Sequence, residues 1–69
     1  MTAAVRSHDG RYIFFEVKSP EELDYAHITD LQIEAGYHPA GYGGPIDVKE
    51  IRMVEGERIY RWKCYGNAD

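Results

Sequence analysis

The sequence predicts a small α+β domain, a two-layer sandwich with one helix packed on an antiparallel sheet, in ββαββ or βαββ order. Three observations carry this expectation. Residues 48–65 sort into two chemical faces around a central Glu55-Gly56. Residues 11–18 form an aromatic and β-branched run directly behind an Asp9-Gly10 turn signal. Between them, residues 20–35 open on Ser-Pro-Glu-Glu and close on a glycine, the punctuation of a helix. A sheet with one apolar face and a helix with one apolar side bury each other economically. The 69 residues allow one domain, 1–69, and no second.

The N-terminal stretch predicts a hairpin. Ala3 to Ser7 is a short first arm, and Asp9-Gly10 is a type I′ signal, because both central residues must accept positive φ. In the following strand Ile13, Phe15 and Val17 alternate onto a core face, with Tyr12, Phe14 and Glu16 opposite. That second face is too aromatic to be simply solvated. A loop of Asp9-Gly10 also sets Arg6 opposite Ile13 on the core face, so either the register differs or the first arm is not a strand.

The helix is expected over 20–35. Ser19 would be its N-cap, Pro20 its first helical residue and Glu22 the returning partner of a capping box, with Gly36 as the left-handed C′ residue. Leu23, Ile28, Leu31 and Ala35 share a broad apolar side, while Ala26 and Ile33 lie off it. Thr29-Asp30-Leu31-Gln32 offers a second start, so a break into two helices near Thr29 is the alternative.

Gly36 to Pro45 holds four glycines, two prolines, two tyrosines and a histidine. No regular helix or strand suits this composition. Its rings either pack down on the sheet or present themselves to a partner. Beyond it, a Glu55-Gly56 loop pairs Ile51 with Tyr60, Met53 with Arg58 and Lys49 with Trp62. One face then collects Ile51, Met53, Tyr60, Trp62 and Cys64, and the other pairs Glu50 with Arg61 and Val54 with Glu57.

Composition excludes several functions. A net charge of −4 argues against a general duplex-DNA binder. The charge is uneven: residues 1–47 carry three Lys/Arg against eight Asp/Glu, and residues 48–69 carry five against four. The chain shows no apolar run long enough to span a membrane and no signal peptide. Cys64 is the only cysteine, which points to a reducing cytoplasm. His8, His27, His38 and Cys64 are too scattered to pair as zinc ligands, so no metal or cofactor is expected. Cys64 on an apolar face reads as core, not as a nucleophile. Gly41-Tyr42-Gly43-Gly44 follows a helix and fits no phosphate-binding motif.

What remains is a non-catalytic binding module or small regulator acting through a protein partner, with a homodimer as one form of partnership. Its expected surface is the Tyr/Gly loop 36–45 and the acidic helix 20–35, with Tyr37, His38, Tyr42, Glu34 and Asp30 as contact residues. Two alternatives stand beside it. The last hairpin, 48–65, interleaves cations with aromatics and so suits single-stranded nucleic acid, provided its rings are not buried. The other alternative is an enzyme whose site lies between subunits.

Overall fold

The structure, a computed structural model, describes residues 4–66 of the chain. Its order is β1 (Ala4–Asp9), β2 (Tyr12–Ser19), α1 (Tyr25–Glu34), α2 (Pro39–Tyr42), β3 (Ile46–Val54) and β4 (Glu57–Tyr65). The strands form one antiparallel sheet in the order β1-β2-β4-β3. The small α+β fold with α1 packed on the sheet is the expected one, and the ββαββ order holds once α2 is counted within the connection.

The first arm is a strand, although Ala3 lies outside the described residues. Asp9 pairs with Tyr12, so the loop is Gly10-Arg11 and not Asp9-Gly10. Gly10 has φ +54° and Arg11 has no positive φ, the pattern of a type II′ turn. That turn asks only glycine to adopt the left-handed region. The one-residue shift sets His8 opposite Ile13, and Arg6 falls in a bulge between Val5 and Ser7. The register conflict posed by Arg6 is thereby removed.

Helix α1 starts five residues later than expected. Ser19 is the last residue of β2, paired with Arg58, and its hydroxyl bonds to the backbone of Glu21 instead of capping a helix. Residues 20–23 are still tied to the sheet, since the Leu23 amide donates to the Tyr60 hydroxyl at 2.9 Å. Asp24 is the N-cap, accepting from the His27 amide at 2.9 Å. The helix runs unbroken through Thr29, whose hydroxyl donates to the Tyr25 carbonyl at 2.9 Å. It ends as predicted, with Gly36 at φ +102°. The Gly36 and Tyr37 amides return to the Ile33 and Gln32 carbonyls, which is the Schellman arrangement.

The core lies between α1 and the facing side of β2 and β4. Ile13, Phe15 and Val17 from β2 meet Tyr60, Trp62 and Cys64 from β4, with Ile28 and Leu31 from α1 above them. Phe15 and Trp62, Cα partners across the strands, stack with centroids 5.3 Å apart and an interplanar angle of 11°.

The second hairpin turns on Glu55-Gly56, both at positive φ, so Val54 faces Glu57 and Met53 faces Arg58 as the sorting predicts. Farther from the turn the expected register fails. A bulge between Glu50 and Arg52 puts Glu50, not Ile51, opposite Tyr60, and Lys49 opposite Arg61, not Trp62. Glu50 is accommodated because it accepts from Arg58 at 2.7 Å and from the Tyr60 hydroxyl at 3.3 Å. The Arg58 guanidinium holds the Glu50 carboxyl below its usual range. Arg61 accordingly pairs with Glu16 on β2 and not with Glu50. A second bulge between Ile46 and Lys49 turns Val48 toward the core, with Asp47 at φ +54°. Met53 is in the predicted register but exposed, and Ile51 has left the core side altogether.

Candidate functional site: the uncovered face of the sheet

The loop at 36–45 is largely part of the fold. Proline fixes φ at the first position of a helix, and Pro39 opens the one-turn α2 behind a His38 N-cap, whose Nδ1 accepts from the Ala40 amide. Sequence reasoning expected no helix here, yet the Pro39 signal was present. Tyr37 packs edge-on against Phe15 at 5.4 Å and against Tyr42 at 5.0 Å, and both tyrosines lie half-buried on the core. Gln32, fully buried on α1, donates its amide to the Tyr37 and Gly43 carbonyls at 3.0 and 2.8 Å. Of the expected contact residues, His38, Asp30 and Glu34 are exposed, whereas Tyr37 and Tyr42 are shared with the core.

The sheet's other face is different. Among the described residues no helix packs on it. Alternation along β2 sets Tyr12, Phe14, Glu16 and Lys18 there, and the antiparallel register places Tyr65, Lys63, Arg61 and Ile59 beside them on β4. Lys49 and Arg52 of β3 sit opposite Arg61 and Ile59. Tyr12 stacks on Tyr65 at 5.7 Å and meets Phe14 edge-on at 6.3 Å. The Lys63 ammonium lies 4.3 Å above the Tyr12 ring and 3.2 Å from Asp47. Arg61 donates from Nε to Glu16 Oε2 at 2.9 Å, and its Nη2 lies 2.8 Å from the same oxygen as an ion pair. Lys49 and Arg52 have no carboxylate partner among the described residues.

A concavity of about 290 Å³ opens on this face, lined by Phe14, Asp47, Lys49, Ile51, Arg61, Trp62 and Lys63. The two β3 bulges make it. One turns Asp47 toward Lys63 while Val48 goes to the core, and the other releases Ile51 from the core side. Bulges commonly re-aim side chains in this way beside binding sites.

Charge is divided between the two layers. Residues 19–46 contain no lysine or arginine, and their five carboxylates, Glu21, Glu22, Asp24, Asp30 and Glu34, are all exposed. They belong to α1 and the segment leading into it. Among the described residues, the uncovered sheet face carries Lys18, Lys49, Arg52, Arg61 and Lys63 against Glu16, Asp47 and Glu57, and Glu55 of the adjoining turn also reaches Lys18 at 4.0 Å. A packed layer is roughly 10 Å thick, about one Debye length at physiological salt, so the acids of one layer only weakly offset the other. Dividing the chain at residue 47 hides this separation, because Tyr12, Phe14 and Lys18 of the acidic half lie on the basic face. The parity of β2 and β4 was readable; their adjacency was not.

Other candidate chemistry is confined. Cys64 is fully buried, and burial pushes its thiol up, away from a nucleophilic thiolate. Among the described residues no three His, Cys, Asp or Glu side chains converge as metal ligands, and no helix is long and apolar enough to cross a membrane. No family model matches the chain, and no curated protein or solved structure matches it either.

Among the described residues the closest titratable pair is Asp24 and His27, with Nδ1 2.6 Å from Oδ1 at the exposed start of α1. Hydrogen bonding to Asp24 raises His27 above 6.5, and the bonds from His27 lower Asp24 below 3.8. The helix dipole opposes a cation at this end, so the carboxylate is what retains the imidazolium. The His27 contribution is complete below its unfolded pKa and fades as pH rises through the higher folded value; the Asp24 contribution fades as pH falls through its lowered value. The variant His27→Gln should melt below the wild type at about pH 5.5 and approach it by about pH 9. Parallel melting curves across that range would remove the His27 charge from the account.

Proposed function

We propose that the chain is a non-catalytic binding module that takes an anionic partner on the uncovered face of its sheet. The separation of charge supports this reading: the basic residues share one face with three aromatic rings, and the acids of the helix layer lie behind it. The loop tyrosines support it indirectly, because rings packed on the core offer less to a partner than rings on an open sheet. A lone buried thiol suits a reducing compartment, and the reading is of a cytoplasmic protein.

Retention on immobilised heparin tests the reading with a defined polyanion. The protein should bind at low salt despite its net charge of −4 and elute as salt rises. Lys49→Glu with Arg52→Glu removes two exposed cations that hold no ion pair among the described residues, and retention should disappear with the melting temperature unchanged. Asp30→Asn with Glu34→Gln on the opposite layer should leave elution nearly unaltered. No retention of the wild type, or equal loss in both double variants, would end this proposal.

A further inference from the structure

We infer that the concavity beside Phe14 is a stacking site for a base of single-stranded nucleic acid. The inference rests on the anionic-partner reading and names its ligand class. Phosphates explain the cations, but phosphates alone give no use for the rings. Phe14 contributes a half-buried ring to the concavity, Ile51 an apolar wall, and Lys49, Arg61 and Lys63 cationic groups. Its volume, about 290 Å³, falls just below the range for drug-sized ligand pockets. A single planar heterocycle suits that scale.

The surroundings extend the argument. Two residues along β2 from Phe14, on the same face, Tyr12 and Tyr65 form a stacked pair with Lys63 against the Tyr12 ring. An aromatic surface therefore continues from the concavity, with cations interleaved. Single-strand binders combine these elements, since every base has a π-face and the backbone follows positive charge. Asp47 adds a carboxylate acceptor at the concavity, able to meet a base amino or imino hydrogen. It occupies the left-handed region at φ +54° and is already bonded to Lys63. An acidic peptide would satisfy the cations and leave the rings without a counterpart. A duplex keeps its bases stacked inside and could offer the concavity none.

Fluorescence anisotropy with labelled oligonucleotides of about twelve thymidines or uridines is the test, at low salt, beside a polyglutamate peptide and the heparin assay. Both oligonucleotides should bind, and affinity should fall steeply with salt. Phe14→Leu keeps an apolar side chain but removes the ring face. It should weaken oligonucleotide binding roughly 5- to 150-fold, the range for loss of one stacked base, while heparin retention is unchanged. Unchanged oligonucleotide binding by a folded Phe14→Leu protein would overturn the stacking site and leave the polyanion reading intact. Polyglutamate binding tighter than either oligonucleotide would overturn the ligand class. Failure of heparin and oligonucleotides alike would remove both proposals. Should Phe14→Leu not fold, Phe14→Ile, a β-branched residue suited to the strand and likewise without a ring face, serves the same comparison with the same outcomes.

Discussion

Trp62→Ala should remove most of the stability of this domain. The side chain is 2% exposed and stacks on Phe15, itself fully buried. Truncating such a ring costs roughly 3–5 kcal/mol in transfer and cavity terms. A chain of this length has a total of about 3–10 kcal/mol. The variant should therefore unfold at a much lower urea concentration than the wild type, which urea titration followed by circular dichroism would show. One opposing contribution is visible. The indole Nε1 is buried without a partner among the described residues, and a buried unmet donor costs roughly 1–3 kcal/mol. Trp62→Phe loses ring volume but also removes that donor, so it should cost clearly less than Trp62→Ala. A loss below about 1 kcal/mol for Trp62→Ala would mean that the ring is not core, because large buried aromatics do not yield so little.

The pattern behind Trp62 was legible because β4 alternates from Tyr60 to Tyr65; only Ile59, buried beside Tyr60, departs from it. Tyr60, Trp62 and Cys64 are buried and Arg61 and Tyr65 are exposed, as a half-buried strand requires. The Glu55-Gly56 turn was legible for a similar reason: a two-residue loop fixes the register near it, and only a few residue types accept its φ values. Gly36 was legible as the end of α1. What could not be read depended on contacts between distant segments. Ser19-Pro20-Glu21-Glu22 is a sound local start, yet Ser19 is held in the sheet by β4, and Asp24 becomes the cap instead. The bulges of β3 have no local signature, since Glu50 replaces Ile51 opposite Tyr60 through bonds to Arg58 and the Tyr60 hydroxyl. That slip moves Ile51 to the other face and helps shape the concavity. The candidate site was hidden because it joins alternate residues of β2 and β4 with the irregular part of β3.

Tyr37→Ala and Tyr42→Ala should each destabilise the domain, and the loss should be largely of packing. The rings form a chain, Tyr42 against Tyr37 and Tyr37 against Phe15, that closes the core beside α2. Half-burial of each ring together with an edge-on contact amounts to about 2 kcal/mol. At this length that is a fall in melting temperature of roughly 8–16 °C for each variant. The two changes share the Tyr37–Tyr42 contact, so the double variant should lose less than the sum of the singles. Gln32→Leu should act on the same region by another route. It removes the amide that holds the Tyr37 and Gly43 carbonyls and leaves these partly buried groups without that donor, at up to about 1–3 kcal/mol for each group left unmet. It also removes Gln32 Oε1, a buried acceptor with no partner among the described residues, which offsets part of the loss. Urea unfolding of the four variants separates a sealing role from a recognition role. If Tyr42→Ala melts within a degree or two of the wild type, its ring does not seal the core. Tyr42, with exposed His38 nearby, would then return as a contact for a protein partner. If all four lose stability and still bind heparin when folded, the loop closes the core and the partner's surface lies across the sheet.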